Sequence, residues 1–542
     1  MKERDYQIEC RNRIHEEWRT KPSTLAVLAT GLGKTIIFAH VIKDMWPKKA
    51  LVLAHRQELI WQARDKIEQA TGLSCEIEMA DLKVHRSLFH QSQVVVASVQ
   101  TLIAGRDVKR MTRFRPEEFG VLIIDEAHHS TADSYAQILT YFKQNPDLKI
   151  LGVTATPDRA DKEALGTIFE SVAYQYEMLN GINDGWLVDV SVVYYHVKSL
   201  DFSEVKTTAG DLNKKALAKV MEVEENVQGI CQPTLEVMYG LPTNTLKDIP
   251  IAQWNDYLSS LKKVPRRTIV FTASVAHAEA CCNIFNRAVP HLAQWVCAKT
   301  DIVERKTILE KFQSGETALV ANCGVLTEGF DNPGVEVIAM GRPTKSRSLY
   351  AQMIGRSTRT LPGLVDGIET AEERKKAITA SPKPFCRIID FVGNSGEHRL
   401  ITPFDVLGGK FPSDVIDASI KRAQDSEKPK MVCRTLTVSE VKLEQEKQAA
   451  MERARLQAEA RKAQWVAKVN GYAHKMDPWD SHDQGALQVG SKAWRHRPLS
   501  EKQLYHLCRK GYNPDRLSRW QALSLLKKIS EEEGWYKKRK ET

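Results

Sequence analysis

At 542 residues the chain exceeds one ordinary domain, and roughly two to four are expected. Its apolar fraction of 42% supports substantial cores, but no apolar run nears a membrane span and MKERDYQIEC lacks a signal peptide's apolar stretch. A soluble, cytoplasmic protein with no membrane partner is expected. The net charge of +10 is concentrated, since residues 492–542 hold fourteen Lys/Arg against six Asp/Glu, which fits either a polyanion partner or simple solubility.

From the N-terminus, the runs TLAVLAT (24–30), KALVLA (49–54), VVVASV (94–99), VLIID (121–125) and ILGVTA (150–155) alternate with helical stretches. Continuous apolar runs suit strands of a parallel sheet covered on both faces, so residues 1–185 read as a doubly wound α/β domain. Its first strand leads into ATGLGKT (29–35) and then a helix. A strand-to-helix turn aims backbone N–H groups at a phosphate, and Thr30, Gly31, Leu32 and Gly33 supply that loop. Gly31 and Gly33 permit the tight backbone. Lys34 would stand between the β- and γ-phosphates of ATP, and the Thr35 hydroxyl would bind Mg²⁺. Leu28 occupies the place where the full phosphate-loop pattern has its first glycine. Taken alone, the turn could be a plain glycine turn.

The next chemistry-bearing element is DEAH, with Asp125 and Glu126 at the end of an apolar run. Ligands bind at the carboxyl ends of parallel strands. Asp125 there would hold Mg²⁺ through water, and Glu126 would position and deprotonate an attacking water. His128 is read as coupling the two halves of the protein rather than touching substrate.

Residues 186–265 read as a mixed segment between domains, with the apolar run VDVSVVYYHV and a helix around 212–240. A second α/β domain, 266–410, follows on RTIVFTA (267–273), TALVANC (317–323), VEVIAM (335–340) and FCRIIDFV (385–392). Residues 411–470 form a charged helical linker, and 439–469 contain neither Gly nor Pro. Residues 471–542 read as loop chemistry over 470–499 and then a small basic helical pair. Its capping boxes are Ser500 with Gln503 and Ser518 with Gln521, Gly511 ends the first helix, and Leu504, Leu507, Leu523, Leu526 and Ile529 form the apolar side. The ten cysteines are scattered and form no CxxC pair, so disulfides and a local zinc site are disfavoured.

Over about residues 4–400 these features resemble superfamily 2 helicases. Arg4-Asp5-Tyr6-Gln7 is similar to the adenine-reading motif, with Gln7 facing the adenine edge and Arg4 beside it. Ala54-His55-Arg56-Gln57-Glu58-Leu59 resembles motif Ia and Ser98-Val99-Gln100-Thr101-Leu102 motif Ib, which implies backbone contacts from His55, Arg56 and Thr101. Thr154-Ala155-Thr156-Pro157 matches motif III, and Val270-Phe271-Thr272 motif IV. LTEGFDNP (326–333) matches motif V, placing Gly329 and Asp331 at nucleotide and ribose and Thr327 at the strand. Gln352 to Arg359 matches QxxGRxxR of motif VI, with Gln352, Arg356 and Arg359 as catalytic residues. An arginine suits the charge spread over a phosphoryl-transfer transition state.

The resemblance implies two tandem RecA-like doubly wound domains with a C-terminal helical extension, driven by ATP and Mg²⁺. Within the superfamily, DEAHHS and QMIGRSTR look most like restriction-enzyme helicase subunits and RadD-like repair helicases, of bacterial or phage type. DNA is therefore favoured over RNA, and a nuclease, methylase or repair partner fits. A translocase that leaves strands paired, or a non-catalytic DNA-binding scaffold, are the alternatives. There is no cysteine-rich zinc module, and DPWDSHDQG (477–485) lacks the following strand and lysine of a nuclease. Arg495, Arg497, Lys502, Arg509, Lys510 and Arg516 either grip phosphates or form a solvated basic face.

Overall fold

The computed structural model describes residues 3–85, 92–105, 108–155, 165–208, 210–327, 329–395, 398–408, 411–426, 428–469, 501–512, 522 and 525–529. It divides into two compact units, Met1–Glu444 and Gln445–Thr542.

In the first unit, the chain opens with α1 (Asp5–Glu17), β1 (Ser23–Leu28), α2 (Lys34–Asp44), β2 (Lys49–Ala54), α3 (Gln57–Thr71), β3 (Cys75–Glu78), β4 (Val94–Ser98) and α4 (Val99–Leu102). It continues with β5 (Phe119–Asp125), α5 (Asp133–Phe142), β6 (Lys149–Thr154) and β7 (Val172–Tyr176). These strands form one seven-stranded sheet in the order β3-β4-β2-β5-β6-β1-β7, parallel throughout. Each apolar run of this half forms a strand, and β1, β4 and β5 are buried along their whole length. Burial on both faces is what removes the apolar–polar alternation from their sequences.

After α6 (Met178–Asn183), β8 (Asp189–Asp201) begins the second sheet. The hairpin β9 (Thr207–Thr208) and β10 (Asp211–Leu212) follows, then α7 (Lys214–Met221), α8 (Glu224–Tyr239) and α9 (Trp254–Ser260). Next come β11 (Thr268–Phe271), α10 (Val275–Ala288), β12 (Ala293–Cys297), α11 (Ile302–Ser314), β13 (Leu319–Cys323), β14 (Val337–Met340), α12 (Arg347–Ile354), α13 (Ala371–Ala380) and β15 (Phe385–Asn394). The unit closes on α14 (Pro403–Leu407), α15 (Ser413–Gln424), β16 (Lys430–Met431) and the start of α16 (Val432–Val469). The second sheet runs β12-β13-β11-β14-β15-β8-β16, with only β16 antiparallel to its neighbour. Two parallel-sheet α/β domains in tandem are therefore present.

Two expectations need correction here. The run VDVSVVYYHV is not part of a separate intervening segment; it is β8, paired with β15 from Asp189 opposite Phe385 onward. Residues apolar on both faces find burial only inside a sheet. The helix expected around 212–240 is two helices, α7 and α8, with Glu224 and Glu225 in the first turn of the second. Carboxylates at that position favour a fresh helix start.

In the second unit, α17 (Glu501–Arg509) precedes Gly511, whose φ of 82° suits a helix stop. Leu507, Ala522, Leu526 and Ile529 pack together. Leu504, expected on that apolar side, is exposed, one turn away from the small cluster. The 470–499 loop, the Ser518–Gln521 box, Leu523, Ser500, the side chains of Lys502 and Gln503, and Arg495, Arg497 and Arg516 lie outside the described residues. Among the described residues no helix is long and apolar enough to cross a membrane.

Candidate functional site

The phosphate loop is built as its residues demand. Gly31 and Gly33 adopt φ of 91° and 73°, a left-handed backbone that other L-residues resist. A side chain at Gly33 would also collide with Gln7, whose Nε2 lies 2.6 Å from the place a Cβ would take. Gln7 and Tyr6 strap α1 onto this loop. The Tyr6 hydroxyl donates to the Leu32 carbonyl at 2.9 Å, and Gln7 Nε2 donates to the same oxygen at 3.3 Å. Gln7 Oε1 in turn accepts from the Arg4 backbone N–H. Leu28, the departure from the full glycine pattern, is simply the buried last residue of β1.

Three adjacent strand ends gather the charged and polar groups of ATGLGKT, DEAH and Thr154, because β6 lies between β1 and β5. Lys34, at the first turn of α2, extends its Nζ to 3.3 Å from Glu126 Oε1. Asp125 Oδ1 accepts from the Glu126 N–H at 3.0 Å. Glu126 itself has φ 49° and ψ 56°, a left-handed conformation costing a non-glycine residue about 1–2 kcal/mol. This strained backbone holds the carboxylate beside Lys34, and strain of this kind clusters at active sites. His128 Nδ1 lies 3.0 Å from Thr154 Oγ1 and 3.6 Å from Glu126 Oε2. It thereby ties the end of β5 to the end of β6 within the first domain; Thr156 and Pro157 of the same loop lie outside the described residues.

The second domain meets this loop directly. Gly355, just past α12, packs so close to Thr30 that an added Cβ would lie 2.6 Å from the Thr30 Cβ. Arg359 reaches the loop as well, its Cγ 3.1 Å from where a Gly31 Cβ would be. Asp331 pairs with Arg359, and Lys66 Nζ lies 3.5 Å from its other carboxylate oxygen. Burial pulls the Arg359 guanidinium down to about 10. Burial and the neighbouring Arg359 draw the Lys66 ammonium down to about 8. Arg356 has a different place: it is buried and donates to the Phe330 and Thr327 carbonyls, shaping the 326–333 loop. Gln352 is buried on α12, and Gly329 packs near Glu58 while its carbonyl accepts from Gln62.

Several contributors escape sequence reading. Glu58, Gln62 and Lys66 lie four residues apart on α3 and so share one face. That face reaches Arg305, Gly329 and Asp331 of the second domain. Lys383 is buried and donates to the Arg359 and Pro333 carbonyls at 2.7 Å each, which fixes the backbone under the arginine. Trp186 takes the Arg4 and Arg374 guanidinium groups over its ring at 4.6 and 3.8 Å, while Tyr6 stacks on Tyr176 at 4.6 Å. An aromatic platform with a fixed cation is thus built beside Gln7. Arg4 and Tyr6, inside the quoted RDYQ, carried a local signal for it; Tyr176, Trp186 and Arg374 carried none.

The residues expected at the strand divide in place. Arg56 crosses between domains, donating to the Gly324 and Val325 carbonyls at 3.4 and 3.2 Å. His55 packs its ring 4.2 Å from that of His129. Thr101 is buried and its hydroxyl accepts from the Ala80 N–H, while the Thr327 carbonyl serves Arg356. Among the described residues no group of three or more His, Cys, Asp or Glu is set to hold a metal ion. Thr35 and Asp125 nevertheless offer a hydroxyl and a carboxylate, hard oxygen donors that suit Mg²⁺ when phosphate and water complete its shell.

Residues 1–159 match the family described as "Type III restriction enzyme, res subunit", and residues 251–360 match "Helicase conserved C-terminal domain". The chain is 32% identical over 411 residues to IRC3 of Saccharomyces cerevisiae, a protein provisionally named an ATP-dependent helicase, covering 72% of this chain and 52% of that one. It is 25% identical over 381 residues to the DNA 3'-5' translocase XPB2 of Sulfurisphaera tokodaii, covering 66% and 78%. The chain spans about half the length of the first curated relatives it matches. In structure it resembles the ATP-dependent Type ISP restriction-modification enzyme LlaBIII bound to DNA, with a TM-score of 0.51 at 16% identity, over 79% of this chain and 31% of that one. Both halves thus match helicase-type family models in chain order, each within one of the two tandem parallel-sheet domains, and in that respect the chain is similar to the superfamily 2 helicases.

Proposed function

We propose that this protein is an ATP-driven DNA helicase or translocase, a member of the DNA-acting branch that holds restriction-enzyme motors and RadD-like repair helicases. The observation that carries the reading is the meeting of Lys34, Glu126 and Arg359 in one cleft, with the arginine from a different domain than the other two. The DNA preference draws support from the names of the relatives, and from His128 and Gln352 standing where RNA helicases of the DEAD type have Asp and His.

In this reading Tyr6, Gln7, Arg4 and Trp186 seat the adenine, and the loop from Thr30 to Gly33 wraps the phosphates. Lys34 turns from Glu126 to the β- and γ-phosphates, which frees the carboxylate to orient water and take its proton. Thr35 and Asp125 would hold Mg²⁺, which when bound offsets phosphate charge. Arg359 exchanges Asp331 for the transferring phosphoryl group, a contribution of about 10³–10⁵ in rate for such arginines. Asp331 is then free to meet the ribose, with Lys66 still beside it. Because Arg359 and the 326–333 loop share one framework through Arg356 and Lys383, each ATP cycle moves the strand-facing loops with the arginine. Contacts to backbone rather than bases make that motion largely independent of sequence. The reading calls for a compartment holding both ATP and DNA, and leaves room for a nuclease, methylase or repair partner.

The test is ATP turnover measured on single-stranded, duplex and forked DNA and on RNA, with strand-separation and triplex-displacement assays alongside. DNA should stimulate turnover, and Lys34→Ala and Glu126→Gln should abolish it while DNA binding persists. Turnover that survives either substitution would overturn the assignment.

A further inference from the structure

The segment between β8 and α8 is a compact module set on the carboxyl edge of the second sheet. The β9–β10 hairpin is pinned there by Asp211. Its Oδ1 accepts from the Lys345 N–H at 2.7 Å, and its Oδ2 accepts from the Thr344 hydroxyl at 2.9 Å. Lys345 Nζ returns the contact by donating to the Thr207 hydroxyl at 3.1 Å. Residues 344 and 345 follow β14, so the hairpin sits at that strand's carboxyl end. Asn213 then caps α7, accepting from the Lys215 and Ala216 N–H groups and donating to Thr208. The far end of α7 is fastened too, where Glu222 accepts from the Ser274 hydroxyl after β11. The helix therefore lies along the strand ends of β14 and β11.

One face of α7 is core: Leu217 and Met221 are buried. Lys215 and Lys219, four residues apart, share the opposite side and are exposed, Lys214 is exposed in the first turn, and Lys206 is exposed at the base of the hairpin. Among the described residues none of these four lysines forms an ion pair; the exposed acids Glu204 and Glu222 flank the segment, and Glu222 is engaged by Ser274. Arg342 lies 3.9 Å from Asp211. Both Lys214 and Arg342 act electrostatically on the Cys323 thiol at the end of β13. The next two residues, Gly324 and Val325, are those whose carbonyls take Arg56 from the first domain. A row of cations thus runs from Arg56 past the 323–325 turn to Lys214, Arg342 and the hairpin, with the lysine face of α7 alongside. An eight-residue helix is about 12 Å long, the reach of roughly three to four phosphates along one strand.

We infer that the β9–β10 hairpin and the lysine face of α7 form a second grip on the nucleic-acid phosphate backbone, continuing the path from Arg56 beyond the motor cleft. The inference rests on the reading of the chain as a nucleic-acid motor. Its helical geometry suits phosphates in series, and the backbone that carries its lysines is fixed by Asp211, Asn213 and Glu222.

The experiment compares the full chain with its Lys214→Ala/Lys215→Ala/Lys219→Ala variant, using a labelled DNA strand long enough to cross both domains. Alanine is the better helix former, so α7 should hold, and thermal melting checks this. A second variant, Asp211→Ala, unpins the hairpin without removing a lysine. The triple variant should show a log K against log salt slope shallower by about 2–3, and DNA half-saturation of ATP turnover raised roughly tenfold or more. The Asp211 variant should shift half-saturation in the same direction. Identical slopes and half-saturation in wild type and triple variant would overturn the grip alone. Wild-type turnover that ignores nucleic acid would instead sink the motor reading on which it rests.

Discussion

Gly355→Ala isolates the meeting of the two domains from the chemistry of either. Gly355 has φ of −60°, so alanine is conformationally welcome and no backbone strain arises. The main obstacle is Thr30, with an added methyl 2.6 Å from its Cβ and 3.1 Å from its Cγ2, while the Ala351 carbonyl oxygen stands 3.0 Å away within the second domain. Carbon atoms rest about 3.5–4.0 Å apart, so the phosphate loop and the motif around Arg356 and Arg359 must part by about 1 Å. A 1 Å misplacement of reacting groups costs about 100-fold in rate, equivalent to about 2.7 kcal/mol. The assay is steady-state ATP turnover at saturating DNA, beside equilibrium binding of a fluorescent ATP analogue. We expect kcat to fall about 100-fold while nucleotide affinity, set mainly by the first domain, changes only a few-fold. Adding Thr30→Gly removes the opposing carbon and should restore part of the loss. A kcat within about twofold of wild type would show that the packed arrangement of Thr30 and Gly355 is not the one in which ATP is cleaved.

Two further expectations follow from burial. Arg356→Ala leaves the Phe330 and Thr327 carbonyls without their buried donor, which should destabilise the protein by roughly 2–5 kcal/mol in a denaturant titration. Arg359→Ala leaves Asp331 with Lys66 and should spare stability while lowering kcat about 10³-fold or more; equal melting losses for the two would erase the distinction drawn between them. Asp390 is the pH-sensitive group: burial pushes its carboxyl up to about 7, with Asp405 adding repulsion and the Tyr350 hydroxyl, donating at 3.0 Å, opposing the shift. An unfolded aspartate releases its proton near ~3.9, so above that pH the folded chain alone keeps it. This contribution is complete at low pH and is lost as pH rises through about 7. Asp390→Asn should therefore gain stability relative to wild type between about pH 5 and about pH 8, read as urea midpoints, and a constant difference would refute the assignment.

The apolar runs at 49–54, 94–99 and 121–125 named their strands because burial on both faces leaves a local trace in sequence. ATGLGKT and DEAH were legible for a related reason, since a strand, a glycine turn and a helix start are neighbours along the chain. Those local features determined two α/β domains and the residues Lys34, Asp125 and Glu126. Tertiary structure alone decided the rest. Strand β8 joined the second sheet by pairing with β15, almost two hundred residues downstream. Lys66 and Lys383 look like ordinary surface lysines in sequence; Lys66 became a partner of Asp331 only when the two domains met, and Lys383 a partner of the Arg359 backbone only when the second domain folded. Arg356 and Arg359 part in the same way, the first bonding to the motif V loop of its own domain and the second reaching the phosphate loop of the other. A three-residue spacing cannot carry that difference, because it depends on which carbonyls and carboxylates another part of the chain brings into reach.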